Sequence, residues 1–123
     1  MPVDLLIVDD SVAVRKVLQR LLRQAELPVG DVFEAGDGQE ALTALAARKV
    51  QLVLTDINMP NMDGLELLRR MKGDGSLRQI PVIIISTEGG KSTVMEALEL
   101  GAAGFIRKPF TTDQIRDKLR QFC

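Results

Sequence analysis

The chain has no histidine, no tryptophan and no tyrosine, and its only cysteine is Cys123, the last residue. Without histidine there is no His-ligated zinc and no Ser-His or Cys-His catalysis. Any general base is a carboxylate, a lysine or water. A single cysteine excludes an internal disulfide, so the fold needs no oxidising compartment. No run of basic residues appears, and 16 Lys+Arg against 17 Asp+Glu leave a formal net charge of −1. That balance speaks against general nucleic-acid affinity. No apolar stretch approaches the length of a membrane span, and the start, Met1-Pro2-Val3-Asp4, lacks the basic residues of a signal peptide. The expectation is a soluble cytoplasmic domain with neither nucleic acid nor membrane as a partner. The 123 residues suit one domain with a real core.

Two short apolar runs end in acids. Leu5-Leu6-Ile7-Val8 is followed by Asp9-Asp10, and Leu52-Val53-Leu54-Thr55 by Asp56. Continuous runs rich in branched residues are the pattern of strands buried on both faces, as in parallel sheets. In such sheets ligands bind beyond the carboxyl ends of the strands. Two of these strands side by side would gather three carboxylates in one cleft. Acids so close repel one another unless a cation joins them. A hard divalent ion such as Mg²⁺, which takes oxygen ligands and keeps several waters, is the natural guest.

The rest of the chain alternates in the same way. Strands are expected at 3–8, 31–35, 51–55, 81–86 and 104–107. Helices are expected at 11–24, 38–48, 64–72, 91–100 and 111–122. The first helix sets Val14, Val17, Leu18, Leu21, Leu22 and Ala25 on an apolar face, with Arg15, Lys16, Arg20 and Arg23 opposite. Gly101 closes the fourth helix, and Thr111 or Thr112 caps the fifth. Five βα units in succession imply an α/β sandwich around a parallel sheet.

Rival motifs fail on spacing. Counted from Asp56, an EF-hand loop would put Pro60 at a ligand position and Asn61 where glycine is required. The P-loop pattern is absent. Gly36-Asp37-Gly38 is an incomplete dinucleotide fingerprint and reads as a turn into the second helix. Each acid also has a plain reading: Asp10 as a helix cap, Asp56 as the start of a turn.

The combination is more specific. Asp9-Asp10, Asp56 with Met59-Pro60 and Asp63-Gly64 after it, Ser86 at the end of the fourth strand, and Lys108-Pro109-Phe110 after the fifth occur in that order. In this the whole chain resembles a response-regulator receiver domain of two-component signalling, nearest to the single-domain chemotaxis type. The resemblance implies a flavodoxin-like (βα)5 sandwich with strand order 2-1-3-4-5, one receiver domain over 1–123 and no output domain. It implies Asp56 as phosphoacceptor, with Mg²⁺ (or Mn²⁺) held by Asp10, Asp56 and the Asn58 backbone carbonyl, and by Asp9 through water. Lys108 would pair with the phosphoryl group, with a cis bond to Pro109, where an ordinary lysine would be a solvated surface residue. Ser86 would donate its hydroxyl, and Ser86 and Phe105 would form the switch, although a lone aromatic in a strand is also plain core. Asn58 and Glu88 would tune hydrolysis.

The resemblance also implies the partners: a histidine kinase or histidine phosphotransfer protein as donor, and a downstream protein binding the face of helix four, strand five and helix five. Three alternatives stay open: a phosphorelay carrier, an Mg²⁺-dependent phosphatase, and a scaffold. Beyond its own phosphorylation and dephosphorylation no enzyme activity is expected. The chain departs from the family pattern, or from that of its chemotaxis type, in three places. Phe105 has no hydroxyl where the chemotaxis type has tyrosine. Thr87 stands where alanine or glycine is usual and would slow phosphodonors. Ile57 replaces a tryptophan, so the usual fluorescence assay would be silent.

Overall fold

In the computed structural model, which describes residues 2–123, strands and helices alternate throughout. The elements are β1 (Val3–Val8), α1 (Val12–Gln24), β2 (Val29–Ala35), α2 (Gly38–Ala47), β3 (Leu52–Thr55), α3 (Gly64–Lys72), β4 (Val82–Ser86), α4 (Lys91–Glu99), β5 (Gly104–Arg107) and α5 (Thr112–Leu119). A short 3-10 turn, Arg120–Phe122, follows α5. All strand pairs are parallel, in the order β2-β1-β3-β4-β5.

The strands are apolar because both faces of the sheet are covered. Alternate residues of each strand point to opposite sides. Leu6, Val8, Val53, Val82 and Ile84 pack with Ala41 and Leu45 of α2, with Leu67, Leu68 and Met71 of α3, and with Ala97 of α4. Leu5, Ile7, Leu52, Leu54, Ile83, Ile85 and Ile106 pack with Leu18 and Leu22 of α1 and Ile115 and Leu119 of α5. Truncating one of these large side chains, for example Ile84→Ala, would cost about 2–5 kcal/mol. Phe122 and Cys123 lean on the second cluster, and burial pushes the Cys123 thiol pKa up.

All the α-helices except α4 start where a side-chain oxygen caps them. Ser11, Asp37, Asp63 and Thr111 accept from the backbone N–H of Val14, Glu40, Glu66 and Gln114, and Thr111 forms a reciprocal capping box with Gln114. Asp10 is therefore not a helix cap. Gly101, at φ 101°, follows α4 in the left-handed conformation that suits glycine.

Strand β2 begins at Val29, two residues before its expected start. A register shift between Val3 and Leu5 explains the difference. There the Asp4 carboxylate accepts from the Asp31 N–H at 2.7 Å, and Gly30 and Asp31 break the apolar pattern. The fifth helix is shorter than expected, its last turn tightening into the 3-10 form. Two residues of α1 also differ from their expected faces. Arg15 turns inward, donating to the Asp9 carbonyl and, at 2.9 Å, to Glu34. Val17 lies 40% exposed.

Candidate functional site

Strands β1 and β3 are neighbours in register, with Val8 opposite Thr55. The residues just after them therefore meet at the carboxyl edge of the sheet. Asp9, Asp10 and Asp56 each offer a carboxylate oxygen there, all within 4.8 Å of one another. Asp9 is buried, Asp56 half-buried and Asp10 exposed. Asp9 Oδ1 accepts from the Ser11 N–H at 2.9 Å, and Asp56 Oδ1 from the Ile57 N–H at 2.7 Å. Among the described residues nothing donates to the Asp10 carboxylate.

Lys108 enters from the loop after β5. Its Nζ lies 3.0 Å from Asp9 Oδ2 and 3.4 Å from Asp56 Oδ2, and its side chain is only 16% exposed. It is thus no solvated surface lysine. Its backbone N–H donates to the Ser86 carbonyl at 2.9 Å, and the Lys108–Pro109 bond is cis. Three formal carboxylates facing one ammonium leave two negative charges, the amount one divalent cation supplies. All the acid donors are hard oxygens. The set fits Mg²⁺ or Mn²⁺ and does not suit a soft metal.

Ser86 is fully buried at the end of β4, its Oγ accepting from the Glu88 N–H at 3.1 Å, which leaves the hydroxyl proton free to be donated. Thr87 and Glu88 follow in an exposed loop. The Asn58 side-chain amide donates to Glu88 Oε1 at 2.8 Å. Thr87 joins Ala13, Val14, Val17, Pro109 and Phe110 around an apolar groove beside Lys108. Phe105 lies two strand positions before Arg107, half-buried, leaning on the core face that holds Ala97 of α4. With Gln114, Asp117 and Lys118 of α5 and Gln121 of the 3-10 turn it lines a surface cleft. Of α4, Met95 and Leu98 stand half exposed nearby in sequence. Asp9, Asp10, Asp56 and Lys108 are thus brought into direct reach of one another. Asn58 and Glu88 are joined in pair, while Phe105 belongs to a separate face.

One backbone feature holds the nucleophile candidate in place. The Gly64 N–H donates to the Ile57 carbonyl at 2.8 Å, and the Gly64 Cα sits so close to the Asp56 carbonyl that a Cβ would overlap its oxygen. Two participants escaped the sequence reading. Arg15 holds the Asp9 carbonyl, and Asp37 accepts from the Asn61 amide at 2.7 Å. The only signal available was Asp37 ahead of a helix, which reads as a cap.

A parallel five-stranded sheet in this order, with an acid triad and an inward lysine at its carboxyl edge, defines a receiver domain. The family described as the response regulator receiver domain matches residues 5–120, and the chain belongs to it. Its likeness is to the CheY type. It is 41% identical to chemotaxis protein CheY1 of Helicobacter pylori over 116 residues, 94% of this chain and 92% of that protein. It is 40% identical to the CheY homolog of Campylobacter jejuni, covering 94% of this chain and 88% of that one. A solved CheX-CheY-BeF3-Mg²⁺ complex from Borrelia burgdorferi superposes with a TM-score of 0.89 at 30% identity, over 100% of this chain and 91% of that one.

Proposed function

We propose that this receiver is a phosphorylation-controlled protein-binding module in which Asp56 is the phosphoacceptor. The observation that carries the reading is Lys108 Nζ set between Asp9 and Asp56 at 3.0 and 3.4 Å, beside a third carboxylate. In the step, an Asp56 carboxylate oxygen forms a bond to phosphorus. The bond from phosphorus to the donor breaks, and its electron pair leaves with the donor imidazole or carboxylate. An imidazole leaving group takes its proton from solvent. With no histidine in the chain, the phosphoryl group comes from outside, from a kinase phosphohistidine or a small acyl phosphate.

Such transfer depends mainly on positioning and charge neutralisation. Asp10, Asp56 and the Asn58 carbonyl would hold Mg²⁺, with Asp9 through water. The ion supplies charge neutralisation for an incoming anion that three carboxylates would otherwise repel. Lys108 would trade its contact with Asp56 for a phosphoryl oxygen, and Ser86 would donate its free hydroxyl proton to another. The BeF3-Mg²⁺ form of the Borrelia CheY supports this assignment.

Phosphorylation adds charge and acceptors at one place, and the response is read elsewhere. Ser86 shifting toward the phosphoryl group would let Phe105 turn inward and reshape the surface of α4, β5 and α5 for a partner. Phe105 offers that partner no hydroxyl. The donor would be a histidine kinase or phosphotransfer protein. The test is incubation with Mg²⁺ and acetyl phosphate, comparing wild type with Asp56→Asn by intact mass. A gain of one phosphoryl group in wild type alone is expected; equal labelling of both would overturn the assignment.

A further inference from the structure

Asp37 closes the turn from β2 into α2, and Asn61 lies in the loop that carries Asp56 and Asn58. The Asn61 amide donates to Asp37 Oδ2 at 2.7 Å, while Asp37 Oδ1 accepts from the Glu40 N–H at 2.8 Å. Asp37 is 6% exposed, so both oxygens are committed to fixed partners. Two contacts run beside this one. The Gly38 N–H donates to the Met62 carbonyl at 3.0 Å. The Met62 side chain covers Gly38 so closely that a Cβ there would meet it at 2.6 Å. Asn61 has φ 66°, a left-handed conformation that asparagine tolerates better than most residues.

We propose that the Asp37–Asn61 pair is a positioning element of the cation site, fixing the loop backbone that presents the Asn58 carbonyl. This rests on the phosphoacceptor reading above. The loop between β3 and α3 is held at its root by Gly64 against Ile57 and Asp56, and further along by Asp37–Asn61 and Gly38–Met62. Asn58 lies between those anchors. The carboxylates of Asp10 and Asp56 adjust through their own torsions, but a backbone carbonyl goes where its loop goes. Mg²⁺ demands near-ideal octahedral geometry at short distances, so releasing the loop weakens the site. Outer partners of metal ligands are commonly worth about 10–100-fold in affinity. This pair acts through a backbone segment, so an effect at the low end, about tenfold, is expected.

The test uses the unphosphorylated chain, titrated with MgCl2 and followed by amide chemical shifts, with metal-free melting recorded separately. Asn61→Gly keeps the left-handed backbone and deletes the amide. Asn61→Asp sets a second carboxylate against Asp37. The double variant Asp37→Asn with Asn61→Asp restores donor and acceptor in exchanged positions and keeps a good helix cap. The expected result is Mg²⁺ affinity about tenfold weaker in both single variants and recovered in the double one. Single variants that bind as tightly as wild type, or a double variant that fails to recover affinity, would overturn the proposal. Wild type that takes no Mg²⁺ sinks the phosphoacceptor reading as well; wild type that binds beside equally tight variants sinks only the clamp. If Asn61→Asp does not fold, Asn61→Gly decides.

Discussion

Asn58 donates its side-chain amide to Glu88 at 2.8 Å, joining the loop after β3 to the loop after β4 beside the three carboxylates. The bond ties the two loops together, and Glu88 adds an exposed negative charge bonded to a residue two positions from Asp56. Glu88→Ala should therefore be labelled by acetyl phosphate several-fold faster than wild type, since charges at a rim act chiefly on association rates. The acceleration should shrink as salt is raised. An unchanged rate at low salt would contradict the effect.

Thr87 is exposed beside Lys108 and lines the adjoining groove with Pro109. Thr87→Ala removes two heavy atoms from the groove beside Lys108 without touching a side-chain hydrogen bond present in the structure. Faster phosphorylation with unchanged melting temperature is the expected outcome, measured by time-resolved intact mass.

The acid cluster stores repulsion that a cation relieves. Asp10 has no hydrogen-bond donor among the described residues, so Asp10→Asn loses no partner and removes one charge from the cluster. In EDTA this variant should be about 1 kcal/mol more stable than wild type, a rise of roughly 4 °C in melting temperature. Saturating Mg²⁺ should stabilise wild type by about 2–3 kcal/mol at a hundred times its Kd. It should leave Asp10→Asn nearly unmoved. Thermal melts with and without metal check both.

Gly64 and Gly90 make a matched pair of substitutions. A Cβ at Gly64 overlaps the Asp56 carbonyl, whereas one at Gly90 meets nothing within 4 Å. Gly64→Ala should cost about 3 kcal/mol and abolish phosphorylation, because relief comes only by moving the backbone of Asp56. Gly90→Ala should be within about 1 kcal/mol of wild type and remain active. Urea denaturation and acetyl phosphate labelling separate the two.

Asp37 gives a pH dependence with a definite sign. The Glu40 backbone N–H, and then the Asn61 amide, hold its carboxyl below the ordinary value of 3.8. A depressed carboxylate contributes its stability in full above 3.8, and that contribution is lost as pH falls through the lower folded value. Acid unfolding should therefore be shallower below pH 3.8 in Asn61→Gly than in wild type. Denaturant midpoints measured across that range supply the comparison.

The apolar runs placed β1, β3 and β4 within a residue of their observed bounds, and with them the three acids, because a strand buried on both faces leaves a continuous local signal. The order of motifs carried Lys108 and Ser86. What escaped depends on partners remote in the chain. Arg15 belongs to a polar helix face until Glu34, 19 residues away, turns it inward. Asp37 is a local cap in sequence, and its second oxygen meets a residue 24 positions on. The first residues of β2 were hidden by a register shift that side-chain periodicity does not carry.

The two loops at this edge are unequally free. The one after β3 is pinned by Gly64, Gly38 and Asp37, whereas the one after β4 runs through Gly89 and Gly90 into a helix without a side-chain cap. The loop after β4 is held to its neighbour chiefly by the Asn58–Glu88 bond across the site. Cutting that tie would leave the α4 side the softer of the two, so the carboxylates rest on a foundation braced more heavily toward α2 than toward α4.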